Sequence, residues 1–99
     1  MDKEEYQKLN YTEKVEAIIN DPKAFRLPQE AVYVAQYVAN LRPCVPPVNT
    51  PDNLTSMDIF NALIGVCDTD INTISAVMHL LGFRLIVGGS AWSAKRLVN

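Results

Sequence analysis

From Pro28 onward the chain alternates between apolar stripes at helical spacing and runs that switch to strand chemistry. Ala31, Val34, Ala35, Val38 and Leu41 recur at three- and four-residue steps, the spacing at which side chains share one face of a helix. This predicts a helix from Pro28 to Leu41. A proline suits its first turn, where a missing N–H is harmless, and Pro43 closes it. Ile59, Phe60, Leu63 and Ile64 mark a second helix. Thr55 supplies its N-cap, Asp58 sits near the positive end of its dipole, and Gly65 stops it. Ile71, Ile74, Val77, Met78 and Leu81 mark a third, with Asp68 or Thr69 as cap, Asp70 in the first turn and Gly82 as stop. Only "GVCDT" separates these two helices, which makes them close neighbours. The period then changes. "FRLIV" and "WSAKRLV" are rich in strand formers, and Gly88-Gly89 between them accepts the positive φ of a tight hairpin turn.

Upstream the signals are shorter. Asp2 with Glu5 resembles a capping box for a helix from about Lys3 to Leu9. Thr12 suits the cap of a second helix carrying Val15, Ile18 and Ile19 on one face, and Asp21-Pro22 opens another short turn. Four prolines in Arg42–Asn53, "RPCVPPVNTPDN", favour an extended connection between the two halves. The pattern predicts a mainly α protein with a C-terminal β-hairpin, divided into an N-terminal helical arm, 1–27, and a domain, 28–99.

Composition narrows the function more than the fold. The 99 residues suffice for one core, and 48% of them are apolar, which excludes wholesale disorder. The net charge is −2. Six Lys and Arg face seven Asp and Glu up to Thr50, and three face four from Pro51, so neither half carries the positive footprint usual for nucleic-acid binders. "MDKEEYQKLN" is too polar for a signal peptide, and no apolar run approaches a membrane span. A cytoplasmic location is expected, with Cys44 and Cys67 as free thiols in a reducing compartment.

No catalytic or cofactor motif is present. His79 has no Cys or His at ligand spacing, so no metal is expected. Ser75 and His79 lie four apart without a third partner, which is not a nucleophilic triad. Asp68 and Asp70 read as cap and dipole residues rather than an acid–base pair. No enzymatic activity, cofactor, metal or small-molecule substrate is expected.

The order helix, linker, helix, tight turn, helix, hairpin resembles a winged helix-turn-helix domain over Gln29 to Asn99. The phrase "IFNALIG…INTISAVMHLLGFRLI" is similar to small viral and phage modules of this kind. In those, such a helix precedes one closing on a Leu-Gly-aromatic turn and a basic wing. The resemblance implies that "DINTISAVMHLLGF" is a recognition helix and "RLIVGGSAWSAKRLV" a wing. It implies that Asn72, Thr73, Ser75, Ala76 and His79 form the outward contact face. Asn and Ser suit base edges, while Arg84, Lys95 and Arg96 suit phosphates.

Two partners follow from the resemblance: double-stranded DNA, bound by a phage- or prophage-encoded regulator, or a host protein inhibited by the same fold. The sequence departs from the DNA-binding pattern because its recognition helix opens with Asp68 and Asp70 and holds no Lys or Arg. Three wing cations give a salt slope of only about −3 in log affinity, so a single domain would need to dimerise. Trp92 at the hairpin tip either inserts into a partner or folds back onto the helices. Tyr33 and Tyr37, one turn apart, either form an oligomer face or pack under the arm.

Overall fold

The computed structural model describes residues 2–86 and 88–97. Within them lie five α-helices and four short strands: α1 (Lys3–Gln7), α2 (Tyr11–Asn20), α3 (Ala31–Tyr37), β1 (Leu41–Pro43), β2 (Leu54–Thr55), α4 (Ser56–Leu63), α5 (Ile71–Leu80), β3 (Ala91–Trp92) and β4 (Ala94–Arg96). A 3-10 turn, Pro22–Phe25, separates α2 from α3.

Local chemistry sets the helix starts. Asp2 accepts the Glu5 N–H at 2.8 Å and opens α1. The cap of α2 is Asn10, not Thr12. Asn10 accepts the Glu13 N–H, and the Glu13 carboxylate accepts the Asn10 N–H in return. Thr12 has Val15 three residues on and so lacks that reciprocal partner. Asp21 precedes the 3-10 turn without making a side-chain cap bond. Thr55 and Asp58 form a full capping box on α4. The cap of α5 is Asp70 rather than Asp68 or Thr69. Its carboxylate accepts the Thr73 N–H at 2.7 Å, and the Thr69 hydroxyl is buried without a partner.

The predicted helix Pro28–Leu41 is real but shorter, because both of its ends leave as turns and Leu41 enters a strand. Its stripe is unaffected: Ala31, Val34, Ala35, Val38 and Leu41 are all buried. They join Val15, Ile18, Leu27, Ile59, Ile74, Val77, Met78, Phe83 and Trp92 in one core. The segment up to Leu27 is therefore docked on the rest. The Tyr6 hydroxyl donates to Leu80 O at the end of α5, and that of Tyr11 donates to Val38 O at the end of α3. Arg42 lies 4.4 Å from the Tyr11 ring and donates to Ala39 O and Leu41 O.

The C-terminal ribbon differs from a simple hairpin. Arg84–Ile86 folds back on Ala91–Ser93 through Ile86 N–H to Ala91 O and Ser93 N–H to Arg84 O, with Gly88 at φ 76° in the turn. Val87 and Val98 of the expected strands lie outside the described residues. Past Ser93 the chain departs from the hairpin. β4 pairs antiparallel with β1 (Leu41 with Arg96, Arg42 with Lys95, Pro43 with Ala94), while β3 pairs with β2. The proline-rich connection causes this switch. Ser93 exchanges hydrogen bonds with Val48, and the backbone N–H groups of Ala94 and Arg96 donate to the side chains of Asn53 and Asp52. No helix among the described residues is long and apolar enough to cross a membrane.

Candidate functional site

The surface where α4, α5 and the ribbon meet brings together Ser75, His79 and Trp92 of the expected contact residues. On α5 the outward positions are Asn72, Ser75, Ala76 and His79, of which Asn72 and His79 are exposed and the other two half-buried. Thr73 does not belong with them. It is only 8% exposed, because position 73 lies one turn before Val77 and so shares the buried stripe.

Trp92 is not at the tip of the hairpin. It is 2% exposed and stands opposite both Leu54 and the Leu85 bridge. Its indole Nε1 donates to Ser56 Oγ at 2.9 Å, and Ser56 Oγ lies 3.3 Å from Ser75 Oγ. The His79 ring meets the indole edge-on, 5.0 Å between centroids. Ser56, Ser75 and His79 thus hold a buried tryptophan in place, and the Ser75–His79 pair is occupied with that packing.

Beside this cluster runs a groove of about 480 Å3 lined by Met57, Ile71, Ser75, Leu85, Ser90 and Trp92. Met57 is 53% exposed, Leu85 44% and Ile71 38%. The periodic pattern assigned Ile71 to the buried stripe, but it is the first residue of α5 and overhangs the core. Met57 belongs to no stripe, so the sequence offered no signal for it.

The three expected wing cations are dispersed. Arg84 is exposed on the hairpin edge near this groove, whereas Lys95 and Arg96 ride on β4 against β1. Arg96 lines a different groove, of about 730 Å3, with Tyr37, Asn40, Asp52, Asn53 and Asp58. Tyr33 and Tyr37 are both exposed rather than covered by the arm.

Cys44 and Cys67 are free and half-buried. Burial raises the Cys67 thiol above its ordinary pKa, and Glu30 and Asp68 push the same way. Burial also raises the Tyr6 hydroxyl to about 12. It raises Tyr11 further, against the opposing charge of Arg42. Among the described residues no three His, Cys, Asp or Glu side chains gather in a metal-holding group.

No protein family, curated protein or solved structure matches the chain.

Proposed function

We propose that the chain is a winged-helix module that binds another protein through the groove between α4, α5 and the hairpin. The winged-helix reading is supported by the strand order. β2, immediately before α4, pairs with β3, and β3 in turn carries the Leu85 bridge, so a three-stranded ribbon lies behind the α4–α5 pair.

The observation that carries the protein-binding reading is the exposure of Met57, Ile71 and Leu85 around one concave surface. Apolar side chains left open together around a groove mark a docking surface, whereas scattered ones do not. The DNA-binding reading rests on the polar face of Asn72, Ser75 and His79 and on Arg84. Of the three expected cations only Arg84 lies near that groove, and the turn into α5 carries the carboxylates of Asp68 and Asp70, which makes a poor seat for a phosphate backbone.

Fluorescence anisotropy with duplex DNA and affinity capture from a host lysate test the proposal together. The expected results are no DNA binding at low salt, and capture that Met57→Glu with Ile71→Glu abolishes. Both positions are exposed, so stability should change by no more than about 0.5 kcal/mol each. DNA binding lost on charge reversal of Arg84, Lys95 and Arg96 would overturn the reading in favour of a regulator. Capture indifferent to Met57 and Ile71 would remove the groove from it.

A further inference from the structure

Among the described residues, the Leu85 edge of the ribbon is open. Leu85 faces Trp92 between the two flanking bonds, Ile86 N–H to Ala91 O and Ser93 N–H to Arg84 O. That is the non-hydrogen-bonded position of an antiparallel pair, so the N–H and C=O of Leu85 point away from β3. Neither has a partner among the described residues. The opposite side of β3 is already taken by β2. An unpaired strand edge beside an apolar groove is the arrangement that accepts an added strand, with the backbone supplying affinity and alternate side chains supplying selectivity.

Charge selects the occupant. Along a strand successive side chains alternate between faces. Leu85 faces the groove, so Arg84 stands on the other face of the same edge, exposed and without an acidic partner among the described residues. A strand laid along this edge would place alternate residues in the groove and the others beside Arg84.

We propose that Leu85 pairs its backbone with an extended segment of a partner protein, whose apolar side chains enter the groove of Met57, Ile71 and Leu85 and whose acidic side chain meets Arg84. This rests on the protein-binding reading above and names the chemistry of the partner.

A random-peptide display selection against the full chain, followed by affinity measurement on synthesised binders, tests it. The enriched peptides should alternate apolar and acidic residues. Leu85→Pro should weaken them by roughly tenfold, since it removes the outward N–H without touching the bonds to β3, and Leu85→Met should leave affinity nearly unchanged. Arg84→Glu should weaken the acidic peptides and spare neutral ones. If Leu85→Pro fails to fold, N-methylation along the peptide replaces it: one set of alternate amides should tolerate the methyl and the other should not.

Failure to enrich any peptide, enrichment of amphipathic helical or basic peptides, or indifference to both backbone modifications overturns strand addition. A wild-type dimer that Leu85→Pro converts to monomer would assign the edge to a second copy instead, and also overturns it. Lysate capture that depends on Met57 and Ile71 but not on Leu85→Pro would leave the groove reading standing while this one falls.

Discussion

At the scale of single residues, two tyrosine hydroxyls do work that the sequence does not advertise. Tyr6 and Tyr11 stand in the N-terminal segment, yet each donates to a carbonyl at the end of a distant helix: Leu80 O at 2.6 Å and Val38 O at 2.7 Å. Helix C-termini leave carbonyls without intrahelical partners, and a buried one needs a donor. Tyr6→Phe and Tyr11→Phe should each lower unfolding free energy by about 1 kcal/mol in urea titrations. Both hydroxyls have folded pKa values raised above the ordinary 10.0, Tyr6 to about 12. The fold therefore favours the neutral phenol. Its contribution is fully present below pH 10 and is lost as pH rises toward 12, because the unfolded chain ionises first. Against the wild type, the Tyr6→Phe variant should show a shallower loss of stability across that window. Parallel curves would mean that the hydroxyl is not held as described. Nothing in the spacing of "MDKEEYQKLNYTEK" points to these bonds, since the Tyr6 partner lies 74 positions away.

At the scale of elements, what the sequence discloses is what neighbours along the chain decide. The stripes of α3 and α5 were legible because a helix face repeats every three to four residues. Thr55 as the cap of α4 was legible because the N–H it accepts lies only three residues on, whereas the return bond to Asp58, read only as a charge near the dipole, was not. The failures begin where an outcome depends on the other side of the molecule. Thr73 is polar, but its position under Val77 buries it. Ile71 and Ile64 are apolar, but both are exposed at helix ends. The ribbon read as one continuous hairpin because "WSAKRLV" has uniform strand chemistry. Its change of partner at Ser93 is set by Val48, Asp52 and Asn53, in a connection whose prolines suggested only extension. The cap of α5 was misplaced for a different reason: the sequence offered Asp68 or Thr69 and put Asp70 inside the first turn, because all three side chains have suitable acceptors, yet Asp70 is the cap. Geometry settles it, and the settlement is measurable. Asp70→Ala should cost about 1 kcal/mol of stability, and Asp68→Ala almost nothing. Equal losses would mean that the helix starts elsewhere.

At the scale of the whole molecule, the Tyr6 contact of the N-terminal segment and the mouth of the groove lie at opposite ends of α5. Tyr6 reaches Leu80 at the C-terminal end, whereas the groove opens at Ile71. A ten-residue helix separates these ends by about 15 Å. The N-terminal segment thus braces the scaffold without lying across the surface proposed to bind. This makes a prediction about cooperativity. Ile18 on α2 and Ile74 on α5 are both fully buried in the same core, and Val34 and Val38 between them are fully buried too. A core shared in this way unfolds as one unit, so amides at Ile18 and Ile74 should exchange with hydrogen at the same free energy of opening. Thermal unfolding should show a single transition. Ile18→Ala should then lower that transition by the amount typical of a large core truncation, about 2–5 kcal/mol, and lower the protection of Ile74 equally. If instead α2 exchanges early while α5 stays protected, the first 27 residues form a separable arm. The α3–α5 core would then have to present the groove unaided.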